Sequence, residues 1–377
     1  MKINFIPFYF PQLHPVPENY AWWGKGYTDW DRVKTAVAHS ENHHQPRIPL
    51  NKNYYDQSLE QTQKWQIALA LQYGIYGFNF YHYWFDGKVL LKKPLQNFHK
   101  LDHKLKYCIT WANETWTKRW EGRLNTILIR QNHRIDKKEW ENHFQYLLPF
   151  FQDKRYIRID RKPVFCLYRP DILAGARRFT DFFQNQAVKH GLNGIYFIAL
   201  KAYEPKNQVI YDNFDAVMRF QPRDIFGRKD NKTLLQKKLE VYLRALPERY
   251  QICLSGLALK FQTGTVYDYD RFWKKLIDTA EKDLAKDKPI YQSIPVDWDN
   301  TPRYGEKSHY FSNYSPEKFK ANLIRFLNVF LRADQKELFL FVNAWNEWSE
   351  GAYLEPDEKH LYKSLEILQA LHTYAGQ

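Results

Sequence analysis

Short apolar runs alternate with amphipathic stretches along the whole chain. Eight runs are candidate strands, several of them apolar without clean alternation: INFIPFY (3–9), YGFNFYHY (76–83), KYCIT (106–110), VFCLY (164–168), IYFIAL (195–200), AVMRF (216–220), IYQSIP (290–295) and LFLFVNA (338–344). Strands buried on both faces read this way. Helical patterns separate them. SLEQ at Ser58 has the form of a capping box, and Gly74 marks the stop of that helix. In NYSPEKFKANLIRFLNVFL, Ser315 can cap and Pro316 suits the first helical position, while Phe319, Leu323, Phe326, Leu327 and Phe330 form one apolar stripe. Further helices are predicted near 136–150, 173–189, 233–246, 269–286 and 360–373. Alternating strands and helices predict a parallel sheet. Eight strands predict an α/β fold of the (β/α)8 TIM barrel type, with residues 1–377 as one domain. A doubly wound sheet is the structural alternative, weakened by the missing Gly-rich first turn.

Segment lengths sharpen the barrel reading. Long stretches follow the first strand (10–56), the third (111–135) and the seventh (296–314). In barrels the catalytic groups sit on the loops that follow the strands. Long loops without structure of their own are usually functional or disordered. These are rich in Trp, Tyr and charged residues, which points to an aromatic groove.

Composition changes the picture in three ways. Aromatic residues make up 18% of the chain, including 13 Trp and 27 Tyr. Rings with flat apolar faces and a polar handle suit sugars, although a Phe- and Tyr-rich core accounts for most of them. The formal charge is +14. Its lysines are scattered, with no nucleic-acid signature, so a solvated basic surface is the plainer reading and weak attraction to an anionic inner membrane the functional one. Cys108, Cys166 and Cys253 show no paired or zinc-like spacing and read as buried small hydrophobes in a reducing compartment. The N-terminal segment is interrupted by Pro7 and Pro11 and lacks a signal-peptide pattern. A cytoplasmic protein, peripheral to the inner membrane at most, is the expectation.

Chemistry concentrates at the strand ends. After the last strand, WNEWSEGAYLE carries Glu347 and Glu350 three positions apart, with Asn346, Trp348, Tyr353 and Glu355 beside them. On a helical turn, side chains three apart are neighbours. Paired carboxylates are the usual equipment for glycosidic chemistry, one protonated and one charged. The plain alternative is acids that are solvated or paired with arginine. After the third strand, TWANETWTKRWEG offers Asn113 and Glu114 as hydroxyl partners and Trp116 as a platform, unless Glu114 simply pairs with Arg119. His82 ends the second strand and Tyr9 the first; both are candidate substrate contacts. In PVDWDNTPR, Trp298 is a further platform, and Asp297 and Asp299 are a weak metal pair. Gly24–Lys25–Gly26 is not a dinucleotide fingerprint, because position 29 is Asp and no helix is expected to open there.

Together, FYFPQLHPVPEN, WWGKGYTDW, QPRIPL, YGIYGFNFYHYWFDGK, WANETWTKRWEG, WDNTPR and AWNEWSEGAYLEPD resemble the WbsX-type proteins, over nearly the whole chain. These are associated with bacterial O-antigen and capsule gene clusters and described as glycosyltransferases. Their domain is similar to the glycoside hydrolase family 99 endo-α-mannosidases, barrels without a metal cofactor that retain configuration through a 1,2-anhydro sugar. The resemblance implies that Glu347 is the base acting on a sugar 2-hydroxyl and Glu350 the acid at the leaving oxygen. It implies no cofactor or metal, and a glycan or glycosyl donor and acceptor as partners. Mannose specificity does not carry over, because only the Asn-Glu-Trp-x-Glu-Gly pattern matches residue by residue. Synthesis of surface polysaccharide is the first expectation and glycan hydrolysis the second. A non-catalytic carbohydrate-binding barrel is the third, and nucleic-acid binding rests on charge alone.

Overall fold

The computed structural model describes residues 1–118, 123–205, 207–227 and 264–374. Eight parallel strands form its centre: β1 (Lys2–Tyr9), β2 (Gly77–Phe85), β3 (Lys106–Trp111), β4 (Lys162–Leu167), β5 (Tyr196–Lys201), β6 (Ala216–Arg219), β7 (Ile290–Pro295) and β8 (Glu337–Asn343). Their order around the sheet is their order in the chain. The sheet closes where β1 pairs with both β8 and β2, the latter through Phe8 opposite Asn79 and Tyr9 opposite Phe80. Each strand matches one of the eight apolar runs to within two residues at either end. The missing polar–apolar alternation has a direct cause: every residue of β1 after Lys2 is buried, as is every residue of β2 except Tyr81. A barrel strand faces the filled interior on one side and helices on the other.

The outer layer holds α1 (Glu60–Gln72), α2 (Lys93–Lys100), α3 (Lys137–Gln152), α4 (Ala176–Lys189), α5 (Tyr269–Asp283), α6 (Pro316–Arg332) and α7 (Lys363–Leu371). In α6, Ser315 Oγ accepts the Lys318 N–H, and the five predicted stripe residues are all buried. The capping box expected at Ser58 does not form. Asp56 Oδ1 captures the Ser58 N–H at 2.7 Å, so the chain turns there and α1 begins two residues later, behind Leu59. Gly74 does end this segment, in the left-handed region at φ +69°. Short α2 was not predicted, and the predicted helix at 233–246 lies outside the described residues, as does Cys253. Cys108 and Cys166 are buried free thiols on β3 and β4. Among the described residues, no helix is long and apolar enough to cross a membrane.

At the start of β2, Gly77 pairs with Lys106 of β3. A Cβ on Gly77 would stand 2.5 Å from the Lys106 carbonyl oxygen, and backbone cannot yield as a side-chain tip can. Gly77→Ala is therefore expected to cost about 1–3 kcal/mol. Urea denaturation checks this, and an unchanged midpoint would argue against this close pairing of β2 and β3.

Candidate active site

The C-terminal ends of the strands open into a cavity of about 370 Å3. Its base is built by the segments after β1, β7 and β8, three neighbours in the barrel order. After β8, Asn346–Glu347 and Ala352–Tyr353 pair antiparallel, and Trp348–Glu350 make one 3-10 turn between them. That turn brings Glu347 and Glu350 to one guanidinium. Arg303, in the short helix Thr301–Tyr304, gives Nη2 to Glu347 Oε1 at 2.7 Å and Nη1 to Glu350 Oε1. The same Nη2 reaches Asp29 Oδ2 at 3.0 Å, and Ser349 Oγ donates to that oxygen at 2.7 Å. A second cation, Arg223, meets Glu350 Oε1 at 3.2 Å.

The turn is held from below. Gly351 has φ +59°, and an added Cβ would lie 2.8–3.0 Å from Asp299. This approach lets the Asp299 N–H donate to the Glu350 carbonyl at 2.7 Å. Asp299 is itself fixed by His43 Nε2 at 2.8 Å and Gln45 Nε2 at 2.7 Å, and Asp297 pairs with Arg47 at 2.8 Å. The two aspartates considered for a metal are thus already engaged by protein groups, with Arg47 also 3.5 Å from Asp299.

Glu347, Glu350, Asp29 and Arg303 are all buried. Burial pushes the Glu347 carboxyl up to about 8; Arg303 opposes the rise, while Glu350 and Asp29 add to it. Burial works against the Arg303 charge, yet Glu347, Glu350 and Asp29 together hold it well above its ordinary value. Three carboxylates face two guanidiniums, so one negative charge is in excess. One retained proton neutralises the cluster, leaving one acid among charged neighbours.

Aromatic rings wall the cavity. Trp22, Trp23 and Tyr27 come from the segment after β1, Tyr81 and Tyr83 from β2, and Trp116 from the hairpin Trp116–Lys118/Arg123–Ile129. Tyr168, Tyr203 and Tyr304 complete the far side.

Residues 5–368 match the family described as Glycosyltransferase WbsX. The chain belongs to this family. Two strains of Xanthomonas campestris pv. campestris carry a relative named uncharacterized protein WxcX, 32% identical over 378 aligned residues that cover 100% of this chain. The alignment takes in 50% of each relative, so the chain spans about half their length. A solved glycoside hydrolase-like protein superposes with TM-score 0.58 at 14% identity, over 99% of this chain and 95% of that one. Two structures of the glycoside hydrolase family 99 endo-α-mannosidase from Bacteroides thetaiotaomicron, one in complex with bis-tris-propane, both give TM-score 0.52. They are 13% and 12% identical, over 97% and 98% of this chain and 95% and 96% of theirs. At these identities the likeness is one of fold.

In this WbsX-family chain, Glu347, Glu350, Glu114 and Trp116 line the cavity. Glu114 pairs with Arg169 at 2.7 Å; Arg119, its expected plain partner, lies outside the described residues. The other predicted contacts sit behind the wall. Asn346 clamps both backbone groups of Phe10: Oδ1 accepts the N–H at 2.8 Å and Nδ2 donates to the carbonyl at 3.0 Å. Asn113 clamps Arg169 in the same way, with 2.8 Å at each contact. Both asparagines act on backbone where hydroxyl recognition was expected. Trp348 stacks on Tyr353 at 3.8 Å and donates its indole N–H to Glu355 Oε2 at 2.7 Å. Glu355 also accepts from Tyr55 and Gln66, and burial pushes its carboxyl up to about 7. Tyr9 is fully buried and donates to Gln66 Oε1 at 2.6 Å. His82 is buried against His143, Nε2 to Nε2 at 3.0 Å. Trp298 is covered by the Arg223 guanidinium, 5.6 Å above its ring. A helix does open at Asp29, where none was expected; it runs to Lys34, with the Thr28 N–H donating to Asp31 Oδ2.

Sequence reasoning did not single out Arg303, Arg223 or Asp29 as site residues. Arg303 and Asp29 fall in the quoted motifs WDNTPR and WWGKGYTDW, so the signal was position within those motifs.

Arg303→Met would strip three buried carboxylates of their shared cation. Breaking such a cluster costs about 3–5 kcal/mol while the acids are charged. Without the cation, Glu347 loses the charge that opposes its rise and the acids repel one another wherever they are ionised, so stability falls as pH rises past the ordinary carboxylate range. Chemical denaturation at pH 5.5 and pH 8.5 is expected to show the larger loss at pH 8.5.

Proposed function

We propose that this chain forms glycosidic bonds in the synthesis of bacterial surface polysaccharide, at a retaining two-glutamate site, with residues 1–377 as one catalytic barrel. The observation that carries the proposal is the placement of Glu347 and Glu350 on the two arms of Arg303, at the base of an aromatic-walled cavity. Membership of a glycosyltransferase family and the fold shared with an endo-α-mannosidase support the same chemistry.

The cycle runs through a 1,2-anhydro sugar. Glu347 takes the proton of the 2-hydroxyl, and that oxygen attacks the anomeric carbon. The bond to the leaving oxygen breaks, and Glu350 gives it a proton. An acceptor hydroxyl then opens the three-membered ring, passing its proton to Glu350, while O2 recovers its proton from Glu347. No net proton is consumed. A base held at about 8 binds a sugar proton more strongly than an ordinary carboxylate does. Glu350 holds two guanidiniums on one oxygen, Arg303 through Nη1 and Arg223 at 3.2 Å. Arg223 is the more exposed of the two, with 31% of its side chain accessible against 6% for Arg303. A bound sugar that draws Arg223 toward its own oxygens would free Glu350 Oε1 to meet the leaving oxygen.

A retaining site hydrolyses when water replaces the acceptor, and the mannosidase-like fold keeps endo-glycosidase action as the second reading. The basic charge of +14 suits a lipid-linked donor or acceptor at an anionic membrane. Incubation with sugar nucleotides or lipid-linked glycans, followed by mass and anomeric analysis, separates the readings. Transfer with retention is expected; hydrolysis of finished polysaccharide alone would reverse their order. Glu347→Gln and Glu350→Gln are each expected to lower turnover by about 10²–10⁴-fold. Undiminished turnover of a confirmed substrate in either variant would overturn the role given to that glutamate.

A further inference from the structure

Asp29 belongs to a stretch that the proposed proton transfers leave without a task. Its carboxylate is buried, it lines the cavity beside both glutamates, and it comes from the opposite side of the β1–β8 seam. Its Oδ2 takes the same Arg303 nitrogen that Glu347 uses, at 3.0 Å against 2.7 Å. Ser349, between the two glutamates in sequence, donates to Asp29 at 2.7 Å and stands 3.5 Å from Glu347 Oε1.

We infer that Asp29 is the third carboxylate of the active centre, a positioning residue that sets how strongly Glu347 holds its proton by competing with it for one arm of Arg303. The inference rests on the reading of Glu347 as a proton-transfer group. A lone Glu347–Arg303 pair would favour the carboxylate and weaken the base. Asp29 divides the arm and adds a negative charge, and both effects strengthen proton binding at Glu347. The charged and titratable groups facing Glu347 are Arg303 after β7, Asp29 after β1, Glu350 on its own turn, Arg223 after β6, and Tyr81 and Tyr83 of β2. The two phenols stay protonated, since burial and then Glu347 raise them well above their ordinary value. They donate no charge, so the balance lies among the three acids and two arginines.

The test needs no substrate. A carboxyl whose proton is held more tightly in the folded chain stabilises it below the ordinary carboxylate range, and that stability is lost as pH rises through the folded value, about 8 here. Thermal midpoints of the whole chain are measured from pH 6.5 to 9.5 for wild type, Asp29→Asn, Glu347→Gln and the double variant. The difference between wild type and Glu347→Gln isolates the Glu347 titration. In the Asp29→Asn background that difference is expected to titrate at least one pH unit lower, about a tenfold weaker hold on the proton. Should Asp29→Asn not fold, Ser349→Ala carries the test with opposite sign, because Asp29 then leans harder on Arg303. A uniform loss of stability at every pH, with the Glu347 titration unmoved, overturns the inference and marks Asp29 as structural. So does an Asp29→Asn effect of the same pH dependence when Glu347 is already Gln. Either result leaves the glycosidic reading to be judged on turnover alone.

Discussion

One guanidinium organises this end of the barrel. Arg303 gathers acids from two segments that are far apart in the chain, and it can do so because β1, β8 and β7 are neighbours in the sheet. Burying charges is costly unless they are paired and hydrogen-bonded. The three acids are therefore tolerable only in the arrangement that places them on Arg303 and Arg223. A second ionic layer below, with Asp297 and Asp299 against Arg47 and His43, supports the first through the Asp299–Glu350 backbone contact. Gly351 sits between the layers, where only a residue without a side chain allows them to meet.

The two Asn-Glu pairs are one device used twice. In each, the asparagine grips both backbone groups of the residue just past the neighbouring strand: Phe10 after β1 for Asn346, Arg169 after β4 for Asn113. The glutamate that follows then projects into the cavity from a seam that cannot slip. A side-chain amide suits this task because it presents one acceptor and one donor in a plane, matching a peptide's own groups.

The barrel was legible in the sequence because its signal is local. Several runs buried on both faces read as apolar without alternation, and Ser315–Pro316 marks a helix start on its own. Ser58 misled because Asp56, two residues before it, competed for the same backbone. The glutamates were legible from their spacing at a strand end. Their counter-ions were not, because Arg303 is 44 residues from Glu347 and Asp29 is 320 from Ser349, and no local pattern encodes such a meeting. The aromatic residues misled in a different way. A Trp beside a catalytic acid reads the same whether its face meets a sugar or another ring, and Trp348 meets Tyr353. Among the rings that do face the cavity, Trp22, Trp23 and Tyr27 lie more than 300 residues from Glu347 and Glu350.

The division between base and wall bears on which residues can vary. The buried charge cluster comes from segments after β1, β6, β7 and β8 and locks them together. The Trp116 hairpin reaches the same cavity from the segment after β3, and none of its described residues is bonded to that cluster, whereas Tyr203, after β5, accepts from Arg223 at 3.1 Å. Hairpin residues can therefore change, and with them the shape of the cavity wall, without disturbing the Glu347–Arg303–Glu350 arrangement. A scaffold partitioned in this way lets one wall of a cavity vary around a fixed set of buried charges.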